Sequence, residues 1–148
     1  MGMFDAMEIS ASGLTAERMR MDVTAQNLAN AQTTRGADGE PYRRKEVVLA
    51  ERQAPGSFGA ALSGAMTSSG STPAGVEVAA ISEDQTPLKQ VYDPSHPDAD
   101  ANGYVQMPNV DTVAEMVDLI SAQRAYEANV TAMHAAKQMF SKTLELLR

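Results

Sequence analysis

Residues 109–148, NVDTVAEMVDLISAQRAYEANVTAMHAAKQMFSKTLELLR, run for forty positions without a glycine or a proline. A helix interior penalises those two residues by about 1 and 3 kcal/mol, and most loops are rich in them, so their absence over this length predicts helix. The apolar positions agree. Met116, Leu119, Gln123, Tyr126, Val130, Met133, Lys137, Phe140, Leu144 and Leu147 alternate three and four apart, the 3.5-residue period of a coiled-coil seam. One row of it, Leu119-Tyr126-Met133-Phe140-Leu147, is apolar at five successive seven-residue steps. Asp111 or Thr112 is suited to cap the start, and Glu115 in the first turn suits the positive end of the helix dipole. About 36 residues at ~1.5 Å each make a rod of roughly 55 Å, well beyond the usual globular helix.

Outward from that helix, the other end of the chain carries a thinner version of the same signal. Residues 14–35 also lack glycine and proline, and Phe4, Met7, Ala11, Leu14, Arg18, Met21, Ala25 and Leu28 keep the three-and-four rhythm. With Ala at two of its sites and Arg18 at a third, this helix buries little by itself and needs tertiary partners. It is expected to end around Asn30-Ala31, because Asn tolerates the left-handed conformation that closes many helices. Between the ends, residues 36–108 hold eight of the ten glycines and all seven prolines. Short β-favouring runs lie at Tyr42 to Ala50, Gly75 to Ser82 and Gly103 to Met107. Ala54 to Pro73, rich in Gly, Ser, Ala and Thr, reads as a mobile loop.

The expected fold class is therefore α+β. Long terminal helices, residues 1–34 and 109–148, pair as a coiled-coil-like domain, and residues 35–108 form a small β-and-loop middle region with a flexible stretch near 54–73. No tandem repeat is present. A 43% hydrophobic content with only 5% aromatic residues and no Trp makes any core aliphatic and Ala-rich.

Composition excludes several function classes. Without Cys there is no disulfide, thiolate metal site or Cys nucleophile. A net charge of −7 and the lack of a basic stripe argue against nucleic acid as a partner. No apolar run approaches ~20 residues, so no membrane span is expected. The N-terminal Met1-Gly2-Met3-Phe4-Asp5 has neither a basic region nor an apolar run of the secretory kind, so no cleaved signal peptide is expected, and a cytoplasmic location follows unless another route exports the chain.

The candidates for chemistry give way to plainer readings. Asp93-Pro94-Ser95-His96-Pro97-Asp98-Ala99-Asp100 gathers three carboxylates and an imidazole, yet its spacing fits neither a calcium loop nor a zinc motif, and a polar turn is the expectation. His134 beside the helix seam reads as an ordinary helix histidine. Nothing sets a Ser beside a His and a carboxylate, and no glycine-rich phosphate loop follows a strand, so no enzyme, cofactor, metal or small-molecule substrate is expected. Residues 1–32 are net −2, from four acids and two bases, unlike a membrane-surface helix, which is usually basic on its polar face. Helix-to-helix packing accounts better for the apolar faces.

The order of helix, β-and-loop insert and long helix resembles that of the flagellar axial proteins, which build rod and hook from paired terminal helices. The N-terminal resemblance lies in Ser12-Gly13-Leu14-Thr15-Ala16-Glu17-Arg18-Met19-Arg20-Met21-Asp22-Val23 running into Asn27-Leu28-Ala29-Asn30-Ala31-Gln32-Thr33. The C-terminal one lies in Glu115-Met116-Val117-Asp118-Leu119-Ile120 and Arg124-Ala125-Tyr126-Glu127-Ala128-Asn129-Val130. Val91 to Asp100, leading to Gly103-Tyr104-Val105-Gln106-Met107-Pro108-Asn109-Val110, is similar to the distinctive stretch of the short proximal-rod subunits. The resemblance covers nearly the whole chain and is weakest over Ala54 to Pro73.

It implies a structural subunit of the proximal rod in the bacterial flagellar basal body, exported by the flagellum-specific type III apparatus and assembled across the periplasm into a torque-transmitting tube. The implied partners are copies of itself, other proximal and distal rod proteins, the rod-to-membrane-ring adaptor and the export gate. The implied assembly interface comprises Leu14, Met21, Asn27, Leu28, Asn30, Met116, Leu119, Arg124, Tyr126, Val130, Met133, Phe140, Leu144 and Leu147. Asn27 and Asn30, three apart, are expected to bond a neighbouring helix. The rival reading is a cytoplasmic coiled-coil adaptor that forms a closed helical oligomer.

Overall fold

The computed structural model describes residues 3–36, 39–53 and 73–146. Its elements are α1 (Met3–Ala29), β1 (Lys45–Gln53), β2 (Pro73–Glu83), β3 (Lys89–Tyr92), β4 (Tyr104–Met107) and α2 (Thr112–Leu146). The architecture is α+β, with β1 paired to β2 and β3 to β4 in two two-stranded sheets. The expected mobile loop lies outside the described residues, apart from Pro73, which opens β2.

Local chemistry sets the helix ends. Asn30 closes α1: its backbone N–H and its Nδ2 both donate to the Gln26 carbonyl, at 3.1 and 2.9 Å, and its Oδ1 accepts from the Thr33 hydroxyl at 3.2 Å. Asp111 caps α2. Its Oδ1 accepts from Val113 N–H at 3.0 Å and its carbonyl accepts from Glu115 N–H at 2.9 Å, which makes it, and not Thr112, the capping residue.

The strand β3 was not expected from the sequence. It pairs antiparallel with β4 in the register Lys89 to Met107, Gln90 to Gln106, Val91 to Val105 and Tyr92 to Tyr104. The opposed tyrosines meet edge to face with ring centroids 5.3 Å apart. Gly103, at φ +78°, closes the connection between the two strands, and a Cβ there would lie 2.9 Å from the Tyr92 ring.

The chain forms two compact units, one from residues 1–17, 49–79 and 124–148, the other from residues 18–48 and 80–123. The divisions fall inside both helices, whereas the sequence reading drew its boundaries at the helix ends. In the first unit the buried side chains are small, Ala16 and Ala136. There Gly13 faces Asn129 so closely that a Cβ would sit 3.0 Å from its Nδ2. Gly75, at φ +109°, lies against α1, where the Ser12 hydroxyl accepts from Val76 N–H at 3.0 Å and donates to the Ile9 carbonyl at 2.7 Å.

The second unit holds the larger core: Val23, Val105, Val110 and Ala122, with Asn27 and Glu115 fully buried among them. The buried positions of α1 are Ala16, Val23, Thr24 and Asn27, none of them in the seam of Phe4, Met7, Ala11, Leu14, Arg18, Met21, Ala25 and Leu28 that the sequence reading drew, whose larger apolar members include Met7, Leu14, Met21 and Leu28. Those four are half-buried.

Candidate functional site

The most organised polar arrangement lies in the second unit, where the end of α1, the start of β1 and the first turn of α2 converge on Asn27. Its Nδ2 donates to the Lys45 carbonyl at 2.8 Å and to Glu115 Oε2 at 3.0 Å. Its Oδ1 accepts from Lys45 N–H at 2.9 Å and from the Tyr42 hydroxyl at 2.9 Å. A primary amide has two donors and two acceptor lone pairs, and all four are used within the subunit.

The expected bond from Asn27 to a neighbouring helix is thus made to Glu115 of α2 within the same chain, and at 1% exposure, with all four positions used, Asn27 has no spare capacity for a further helix. Asn30, its supposed companion, is occupied with closing its own helix. Glu115 lies in the first turn of α2, as expected. It is more than a first-turn charge, because its other oxygen accepts from Arg44 Nε, and Arg44 Nη2 reaches Asp118 at 3.4 Å. Asn109 completes the frame by accepting from Arg44 N–H at 2.8 Å and donating to the Thr86 hydroxyl at 2.8 Å.

The electrostatics follow from the geometry. The hydrogen bond to Glu115 holds the Arg44 guanidinium above its usual range against the opposing effect of burial. Burial, and then the charges of Glu115 and Glu83, push the Tyr42 hydroxyl up from its usual 10. Among the described residues no buried side-chain nitrogen or oxygen lacks a partner. A buried ion pair satisfied in this way fixes geometry more than it adds stability.

The cluster at 93–100 is a set of interlocked turns. Asp93 Oδ1 accepts from the Ser95 hydroxyl at 2.6 Å and its N–H at 3.0 Å, which draws the carboxyl below its usual range. His96 Nδ1 accepts from Asp98 N–H at 3.1 Å, and Asp98 Oδ2 accepts from the Thr34 hydroxyl at 2.9 Å. Among the described residues no group of three or more His, Asp or Glu side chains is placed to hold a metal ion, and no helix is long and apolar enough to cross a membrane.

The remaining residues of the expected interface divide by exposure. Leu14, Met21, Leu28, Leu119, Tyr126, Val130, Met133 and Phe140 are half-buried; Met116, Arg124 and Leu144 are exposed; Leu147 lies outside the described residues. Sequence reasoning missed Val113, Val117 and Ile120, which are 65%, 61% and 51% exposed. With Met116 at 45% they form an apolar stripe on α2 where a solitary subunit would carry polar groups. The i, i+3, i+4, i+7 spacing of those four was the signal available for it.

Comparison with known proteins agrees with the architecture. Residues 7–37 match the family described as flagella basal body rod protein, and residues 101–146 match the one described as flagellar basal body rod FlgEFG protein C-terminal. The chain is similar to the flagellar basal-body rod protein FlgC of Bacillus subtilis, at 52% identity over 147 residues that cover 97% of each chain. The FlgC of Borreliella burgdorferi is 44% identical, with 100% of this chain and 99% of the relative covered. That of Salmonella typhimurium is also 44% identical, with 99% and 98% covered. These relatives do not favour the cytoplasmic adaptor. On identities of this size over nearly full length, the chain belongs to the FlgC family of flagellar basal-body rod proteins.

Proposed function

We propose that this chain is a structural subunit of the proximal rod, joining copies of itself and other rod proteins through its terminal helices to form the tubular shaft that transmits torque. The observation that carries this is the outward apolar stripe of α2, with Val113 65% and Val117 61% exposed on a helix whose opposite side is already buried in its own unit. An apolar helix face of this kind is completed by a neighbour. Contacts between unlike faces of successive subunits extend into a helical tube instead of closing.

In this reading residues 1–34 and 109–148 build the rod wall and residues 35–108 the outer surface. Half-buried Leu119, Tyr126, Val130, Met133 and Phe140, with Leu14, Met21 and Leu28, contribute to subunit contacts, and Leu144 and Leu147 extend them at the far end. The role is assembly and not turnover, so no catalytic residue or cofactor is assigned. Export without a cleaved signal peptide, a place across the periplasm, and contacts with the membrane-ring adaptor and the export gate belong to the same reading. A cryo-EM map of purified basal bodies tests it. Density for this chain in the proximal rod wall is the expected result, and intact rods from cells lacking the chain would refute it.

A further inference from the structure

The connection between β3 and β4 carries the chain's only asparagine that precedes a glycine. Asn27, Asn30, Asn109 and Asn129 are followed by Leu, Ala, Val and Val, whereas Asn102 is followed by Gly103. A glycine nitrogen has no side chain beside it. In an open chain it can therefore reach the side-chain carbonyl carbon of the asparagine before it and close a five-membered ring.

In the folded chain that nitrogen is held away. Asn102 is exposed in a turn, and the Gly103 N–H donates to the Asp100 carbonyl at 2.8 Å. In the common turns closed by such a bond the third residue, here Asn102, has ψ of about 0°, which aims the next nitrogen back at the first carbonyl and not at its own side chain. To attack Asn102 Cγ, the Gly103 nitrogen has to rotate out of the turn and give up its bond to Asp100. The turn is pinned on both sides. Asp93 N–H donates to the Gly103 carbonyl at 2.9 Å, and Asp100 N–H donates to the Tyr104 carbonyl at 2.9 Å. Gly103 sits at φ +78° with Tyr92 and Pro94 packed where a side chain would stand, and fully buried Val105 anchors β4 just beyond it.

We propose that Asn102 is a self-modifying site gated by this turn: it deamidates through a cyclic imide with Gly103 when the β3–β4 connection opens, and keeps its amide while the connection is closed. The chemistry needs only water. A base takes the Gly103 amide proton, the nitrogen attacks Asn102 Cγ, and the side-chain nitrogen takes up a proton and leaves as ammonia. Water then opens the ring. Cleavage between the nitrogen and Cγ leaves aspartate; cleavage at the main-chain carbonyl carbon leaves isoaspartate, whose main chain runs through Cβ and Cγ. Either product adds one negative charge to the net −7. Isoaspartate also lengthens the backbone by one carbon–carbon bond, about 1.5 Å. The Gly103-to-Asp100 bond and the pairing of Tyr92 with Tyr104 then no longer fit together. A chain that stays open is thereby marked, and one that closes promptly is not.

The full-length chain is incubated in mildly alkaline buffer, folded in one arm and in guanidinium chloride in the other, and conversion at each asparagine is followed by peptide mass spectrometry. In guanidinium chloride Asn102 should convert first. In the folded arm its conversion should be at least about ten-fold slower, because only the open fraction reacts. Tyr92→Ala removes the ring beside Gly103 and leaves the Asn-Gly pair intact, and at 64% exposure Tyr92 is dispensable to the core. This variant should raise the folded rate several-fold and leave the denatured rate unchanged.

Equal rates in the two arms, or a faster one in the folded chain, would overturn the gate. Earlier conversion at another asparagine in guanidinium chloride would overturn the site. A folded rate unchanged by Tyr92→Ala would overturn the hairpin's part in it.

Discussion

Replacing Asn27 by Ala removes four hydrogen bonds at once and leaves Glu115 Oε2, the Tyr42 hydroxyl and both backbone groups of Lys45 without that partner. A buried group stripped of its partner costs about 1–3 kcal/mol. Tyr42 and Lys45 are half-buried and regain water, whereas Glu115, at 1% exposure, does not. The sum is therefore about 3–5 kcal/mol, offset by roughly 0.5 kcal/mol from the higher helix propensity of Ala. Against a total stability of about 5–15 kcal/mol this is severe. In urea, with a slope of about 1–3 kcal/mol per molar, the unfolding midpoint should fall by roughly 1–4 M. Asn30→Ala is the matched control. It loses only local closing bonds and should move the midpoint by less than about 0.5 M. Equal damage from the two variants, or an Asn27→Ala midpoint within about 0.3 M of the parent, would refute the account of Asn27 as the internal junction.

Four other perturbations separate the parts of the argument. Gly75→Ala forces a Cβ to 2.2 Å from the Ser12 hydroxyl at φ +109°, and should cost about 1–3 kcal/mol in thermal or urea unfolding. Val117→Glu, at an exposed position, should leave the circular dichroism and the unfolding midpoint of the isolated subunit unchanged while abolishing swimming in cells that depend on it. The raised Tyr42 hydroxyl means that the folded state holds its proton more tightly than the unfolded one. The associated stability is present below pH 10 and is lost as the pH climbs from there through the folded value, and Tyr42→Phe should flatten that alkaline limb in pH-dependent unfolding. Ser95→Ala should let the Asp93 carboxyl titrate at higher pH, as read by carboxyl-carbon NMR, with little change in stability because the group is at the surface.

The elements legible in the sequence are those whose signals are local. Asp111 ahead of an unbroken forty-residue run announces α2, and Asn30 marks the end of α1 within a residue. Tyr104-Val105-Gln106-Met107 alternates, and its Val105 is buried. Its partner Lys89-Gln90-Val91-Tyr92 is exposed at every position, so no apolar alternation betrays it. The junction was hidden for a related reason. Hydropathy reads Asn27, Arg44 and Glu115 as surface residues, and only folding shows that Glu115 is satisfied by two partners 71 and 88 positions away in the chain. The row around α1 misled because Ala16, Thr24 and Asn27, which are buried, carry less apolar weight than Met21 and Leu28, which are only half-buried.

The buried positions of α1 in the second unit limit how its length can vary. Val23, Thr24 and Asn27 are buried there, and Asn27 is tied by four hydrogen bonds. A single residue inserted between Val23 and Asn27 turns one side of it by about 100° relative to the other, so that either Val23 leaves the core or the amide of Asn27 leaves its pocket. Replacing the exposed side chain of Gln26 disturbs neither. This stretch of α1 therefore tolerates a change of side chain far better than a change of length.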